Sequence, residues 1–173
     1  MRLYHYTRRV TLPNILREGL NRGDVPLDPT TGINAPCLTC RDTPPLGQVL
    51  YTGGVGVFDK TGVRIAIELD PADPALLRWK YFPDRFKVDR RFFRVLNSAC
   101  REGNPVYDWY IYLGTLPPTS FVEIYDRFTL QSIPPVLWPS IALEPHSVDQ
   151  ILPGVTVLSF ADAAADLKGR RAA

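Results

Sequence analysis

Apolar and polar side chains alternate most clearly in a handful of short stretches. Arg2–Thr7 (RLYHYT) alternates with period two and predicts a strand. Thr11 then offers a helix cap, and Pro13 falls in the first turn, where its missing N–H is no loss. Leu12, Ile15 and Leu16 share one helical face, and Gly19 supplies a stop. Asn21–Pro36 has no period and reads as an irregular loop, and Cys37–Cys40 as a short strand. Gln48–Thr52 fits a helix end or a strand, and Gly53–Lys60 a glycine-rich loop. Val63–Leu69 (VRIAIEL) is β-branched and alternating, the signature of a strand. Pro74–Trp79 suggests one or two helical turns. Asp89 is placed to cap a helix running to about Cys100, with Phe92, Phe93, Leu96 and Cys100 inward. Asp108–Leu113 (DWYIYL) and Phe121–Tyr125 (FVEIY) predict two strands around the turn GTLPPTS, and Val155–Phe160 one more.

Strands outnumber helices in this pattern, and the helices concentrate in the first half. The order predicts an α+β fold with a mostly antiparallel core. It divides the chain into one domain over residues 1–160 and an Ala-rich terminal helix or frayed tail over 161–173. The 17 prolines fall in clusters such as PLDPTTG, TPPLG and IPPVLWP, and so punctuate many short elements rather than forming one proline-rich tract.

Composition narrows the classes. With 20 basic and 18 acidic side chains the net charge is +2, so any polyanion partner has to be held by a local patch. No apolar run nears the roughly 20 residues of a membrane-spanning helix, and the amino terminus lacks the apolar region of a secretory signal. Three cysteines do not make a disulfide framework, and a reducing cytoplasm is the expected compartment. There is no GxGxxG after a strand and no phosphate-binding loop of the Walker kind.

Histidine occurs twice, and one copy, His5, stands in the first strand between two tyrosines. Leu3-Tyr4-His5-Tyr6-Thr7, followed by Leu12-x-x-Ile15-Leu16-x-x-Gly19-Leu20, resembles the amino-terminal motif of the histidine-type ADP-ribosyltransferase superfamily. That superfamily includes PARP-like enzymes, DarT-like toxins and tRNA 2′-phosphotransferases. Cys37-Leu38-Thr39-Cys40-Arg41-Asp42 is similar to its second core strand, and Leu116-Pro117-Pro118 to a late turn of the DarT-like and phosphotransferase domains. The resemblance implies a split antiparallel β core and NAD⁺ as substrate.

Cleavage of NAD⁺ breaks a C–N glycosidic bond through an oxocarbenium-like state, so the dinucleotide must be held bent with its ribose hydroxyls fixed. By resemblance, His5 would bond the adenosine-side ribose, the backbone at Tyr6 would grip the carboxamide, and Thr7 would support the strand or a hydroxyl. Tyr51 is a candidate to stack on nicotinamide, or else a half-buried strand-end tyrosine. Arg41 and Arg64 are candidate pyrophosphate grips, or else members of surface salt bridges. Relatives place a glutamate at the start of a late strand, where it stabilises developing positive charge. Here that place holds Trp109, with Asp108 one residue earlier. Glu123 on the following strand is a second candidate, and Glu68 a third that also fits a solvated partner. Transfer of ADP-ribose to DNA, RNA or protein, in the setting of a bacterial or phage conflict enzyme, is the activity implied. RNA 2′-phosphate transfer and a catalytically inactive binding module are the alternatives.

Two further stretches have two readings. FPDRFKVDRRFFRVLNSACR fits a basic-aromatic surface for single-stranded nucleic acid across Arg85–Arg101, or an amphipathic helix with its phenylalanines in the core. Cys37-x-x-Cys40 has zinc-like spacing, but only Cys100, His5 and His146 remain as soft ligands, so no metal is expected.

Overall fold

The computed structural model describes residues 1–44, 61–98 and 105–144. The expectations for Gln48–Thr52, Gly53–Lys60, Tyr51, Cys100, Arg101, His146, Val155–Phe160 and the tail lie outside them.

Among the described residues the strands are β1 (Arg2–Thr7), β2 (Asp24–Pro26), β3 (Gly32–Asn34), β4 (Cys37–Thr39), β5 (Val63–Glu68), β6 (Leu76–Arg78), β7 (Trp109–Tyr112), β8 (Phe121–Asp126) and β9 (Gln131–Ser132). The helices are α1 (Leu12–Glu18), α2 (Phe82–Phe86), α3 (Arg90–Ser98), α4 (Pro105–Asp108) and α5 (Trp138–Ala142). Seven strands form one sheet in the order β6-β7-β4-β1-β5-β8-β9, with every pairing antiparallel. The architecture is therefore mixed α+β, as the hydrophobic pattern predicts.

The helix distribution differs from the expectation. Among the described residues only α1 precedes residue 80, and the other helices follow. α2 and α5 each begin with an aromatic–proline pair, Phe82-Pro83 and Trp138-Pro139, with proline in the first turn. The region expected to hold one or two helical turns, Pro74–Trp79, instead contains β6, because Leu76, Leu77 and Arg78 pair with Tyr112, Ile111 and Tyr110 of β7. The expected loop Asn21–Pro36 contains the hairpin β2–β3. Thr11 precedes α1, but its hydroxyl donates to the Arg8 carbonyl (2.7 Å) instead of capping the helix, because a 3₁₀ turn at Arg9–Thr11 has already turned the chain.

Two apolar clusters cover opposite faces of the sheet. On one face α1 and α5 pack over Leu3, Leu38, Val63, Ile65, Ile67, Tyr110 and Ile124. On the other, α2 and α3 bury Phe82, Val88 and Phe93 with Trp79 against Ile111. Tyr110 and Ile111, consecutive on β7, serve the two clusters in turn, as strand alternation requires. Trp79 stacks on Phe82 at 4.7 Å between centroids and meets Trp109 edge-on at 5.8 Å. The phenylalanines of the basic stretch therefore belong to the core: Phe82 and Phe93 are buried, and Phe86 and Phe92 are partly buried. Asp89 does cap α3, accepting the Arg91 and Phe92 amides at 2.8 and 2.9 Å.

Candidate functional site

β1 lies in the middle of the sheet, between β4 and β5. Its pleat places Leu3, His5 and Thr7 on the face covered by α1, and Tyr4 and Tyr6 on the other. His5 is half-buried, opposite Ile65 of β5. Its Nδ1–H donates to the Cys37 carbonyl at 2.9 Å. A carbonyl can only accept, so in the neutral ring Nε2 carries the lone pair. The register of β1 with β4 pairs only Tyr4 with Thr39, so the ladder ends before Tyr6, and the His5 ring takes up a β4 carbonyl there. Thr11 spends its hydroxyl proton on Arg8, so Thr7 is the donor in the 2.6 Å bond between the two threonines, tying the end of β1 to the start of α1.

On its other side β4 pairs with β7, so β1 and β7 are two interstrand spacings apart, about 10 Å. Asp108 ends α4 and Trp109 begins β7. Trp109 turns to the aromatic cluster beside Trp79, on the face away from His5. Asp108 is held at the end of β4. Its carbonyl accepts the Cys40 amide at 2.9 Å, its Oδ1 the Cys40 thiol at 3.8 Å, and its Oδ2 lies 3.6 Å from Arg41 Nη1. Partial burial and the neighbouring carboxylate push the Cys40 thiol pKa upward, so it stays a protonated donor at neutral pH. Arg41 is itself positioned by its backbone: its amide donates to Thr39 Oγ1 (3.2 Å), and its carbonyl accepts the Tyr6 hydroxyl (3.0 Å). Burial raises the pKa of that hydroxyl, so Tyr6 also remains a donor.

The opposite face carries a separate polar cluster. Arg64 of β5 lies between the Tyr4 and Tyr125 rings, 5.4 and 5.0 Å from their centroids. Its Nη2 donates to Glu123 (3.2 Å) and its Nη1 to the Asp42 carbonyl (3.1 Å), while the buried Nε has no hydrogen-bond partner. Glu123 also accepts the Ser132 hydroxyl at 2.8 Å. Glu68 pairs with Arg2 at 3.0 Å on the surface.

The sheet thus sorts the residues singled out in the sequence. His5 and Thr7 share one face, with Asp108 and Arg41 at the end of the neighbouring β4–β7 pair. The Tyr6 side chain, Arg64 and Glu123 lie on the other face. Among the described residues no group of three His, Cys, Asp or Glu side chains is placed to hold a metal ion. One pair has no counterpart in the sequence reading: the Arg78 guanidinium donates through Nε and Nη2 to the Tyr110 hydroxyl at 3.1 and 3.0 Å. Tyr110 stands on the face of His5, separated from β1 by β4. The alternation of DWYIYL implied the face of Tyr110; nothing local implied Arg78.

Two stretches almost a hundred residues apart in the chain meet at the end of α1. Leu20 and Leu116 form an antiparallel bridge, with Leu20 N–H to Leu116 O at 2.8 Å and Leu116 N–H to Leu20 O at 3.0 Å. Gly19 has φ +82°, and a Cβ there would stand 2.7 Å from the Leu116 oxygen. No family model matches the chain, and neither a curated protein nor a solved structure matches it.

Proposed function

We propose that this protein binds NAD⁺ as substrate on the His5 face of the sheet and transfers its ADP-ribose to a macromolecule, using an ADP-ribosyltransferase-like fold. The observation that carries this reading is the meeting of the separate stretches behind the resemblance. Gly19-Leu20 bonds directly to the LPP turn at Leu116, the second core strand β4 pairs with β1, and Asp108 stands at the entry to the strand beside β4.

His5 would bond a ribose hydroxyl through Nε2, since Nδ1 is committed to Cys37. The backbone at Tyr6, where β1 and β4 part, would receive the carboxamide. Asp108 would stabilise the ribosyl cation as the glycosidic bond breaks and nicotinamide leaves with the bonding pair. A new bond then forms from the C1 carbon of the ribose to an acceptor oxygen or nitrogen, and the acceptor proton passes to a base. Of the two candidate acids, Asp108 is favoured because Glu123 lies across the sheet, bonded to Arg64 and Ser132. Arg41, beside Asp108, is the better placed phosphate grip; Arg64 lies with Glu123.

The test is release of free nicotinamide from NAD⁺ by the full chain. Asp108→Asn lowers the rate about 100-fold with little change in KM, and Glu123→Gln leaves it near wild type. No release above background, or loss in Glu123→Gln with Asp108→Asn unaffected, overturns the assignment.

A further inference from the structure

Two consecutive carbonyls just past β4 are held by side chains from the sheet face opposite His5. β4 ends at Thr39, and Cys40, Arg41 and Asp42 follow beyond its last ladder pairs. Tyr6 and Arg64 stand directly opposite each other on β1 and β5. The Tyr6 hydroxyl donates to the Arg41 carbonyl at 3.0 Å, and Arg64 Nη1 donates to the Asp42 carbonyl at 3.1 Å. Among the described residues the backbone of this short segment is otherwise tied by two amides, Cys40 to the Asp108 carbonyl at 2.9 Å and Arg41 to Thr39 Oγ1 at 3.2 Å. The Arg41 guanidinium carried by the segment reaches Asp108, with Nη1 3.6 Å from Oδ2.

Arg64 lowers stability where it stands. Its side chain is only 20% exposed, and its buried Nε–H has no hydrogen-bond partner. A buried guanidinium one bond short is a worse filler than an apolar side chain of similar size, even with Glu123 beside it. The bonds it does make join two elements: Glu123 on β8, and the carbonyl that follows Arg41. Tyr6 is comparable. It is buried, phenylalanine would fill the same space, and its hydroxyl bonds the Arg41 carbonyl. In both residues the polar group is explained by the segment that it holds.

We infer that Tyr6 and Arg64 are positioning residues: through the carbonyls of Arg41 and Asp42 they hold the Arg41 guanidinium beside Asp108. Neither side chain touches the substrate; both act through the backbone of the segment that carries Arg41. With the two carbonyls fixed, the Arg41 side chain starts from one place, and less of its rotamer freedom is left to lose when it meets an anion. The use of Arg41 as a phosphate grip rests on the function proposed above. The setting of its place from the opposite face does not.

The experiment is amide hydrogen exchange of the full chain by NMR, without NAD⁺, in wild type, Tyr6→Phe and Arg64→Met. In each variant the Cys40 and Arg41 amides exchange about tenfold faster than in wild type, the effect of losing one hydrogen bond on a local opening. Amides of the β1–β5 ladder keep their wild-type rates, which a general loss of stability would not allow. Tyr6→Phe removes a single oxygen, so it still reads the inference if Arg64→Met fails to fold. Calorimetry with NAD⁺ adds a second readout. Arg41→Ala weakens binding about tenfold, Tyr6→Phe weakens it in the same direction, and the double variant binds no more weakly than Arg41→Ala alone, because the hydroxyl acts only through that side chain. Unchanged exchange at Arg41, acceleration no greater than in the β1–β5 ladder, or additive losses in the double variant overturns the inference. A wild type that fails to bind NAD⁺ defeats the proposed function instead, and the exchange rates still decide the positioning.

Discussion

Asp28 shows how much one short side chain organises in a segment that looks structureless in the sequence. Its carboxylate accepts the Thr30 amide and hydroxyl at 2.7 and 2.8 Å and the Thr31 amide and hydroxyl at 2.8 and 2.6 Å. This closes the turn between β2 and β3. The threonine hydroxyls and amides, Thr31 foremost, pull the Asp28 pKa well below the usual carboxylate range. A folded-state pKa below the unfolded one means the carboxylate stabilises the turn fully above the ordinary value, near 4. That support is lost as pH falls further, through the lowered pKa. In an NMR titration the Thr30 and Thr31 amide shifts should hold constant through pH 4 and move only in more acidic solution. A midpoint near 4 would contradict the geometry. At the site itself, His5 and Asp108 were legible as residues because of their neighbours in the motif. Their faces relative to Glu123 were not, since these depend on the β1–β5–β8 register and on the irregularity between Ala66 and Ile67.

At the scale of elements, α1 depends on how it ends. Gly19 leaves the helix at φ +82° with its Cα against the Leu116 carbonyl, which lets Leu20 and Leu116 bond to each other. Gly19→Ala adds a methyl in a disfavoured backbone region and against a backbone oxygen. It should cost about 1–3 kcal/mol and lower the Tm by about 3–10 °C in a thermal melt. An unchanged Tm would mean that the bridge contributes nothing. The strands β1, β5, β7 and β8 were legible because each shows its own alternation. β6 was not: Pro74–Trp79 suggests helical turns and shows no alternation of its own, and Leu76–Arg78 is extended because β7 offers it an edge. α2 and α5 were missed for a related reason. Their prolines read as breaks, whereas in the first turn of a helix proline costs nothing.

For the whole molecule, the sheet divides the chemistry as well as the core. One face carries α1, α5, His5 and Thr7; the other carries α2, α3 and the Arg64–Glu123 cluster. The 3₁₀ turn Trp79–Tyr81 packs against α4 and β7, at whose junction Asp108 stands. Among the described residues no helix is long and apolar enough to cross a membrane. The central claim is that the face holding His5 is an NAD⁺ site. Isothermal titration calorimetry of the full chain with NAD⁺, beside His5→Ala, tests it most directly. The account predicts saturable binding by wild type and a loss of about tenfold or more in His5→Ala, the worth of a hydrogen bond to a ribose hydroxyl. No binding by wild type, or equal affinity in His5→Ala, would contradict it.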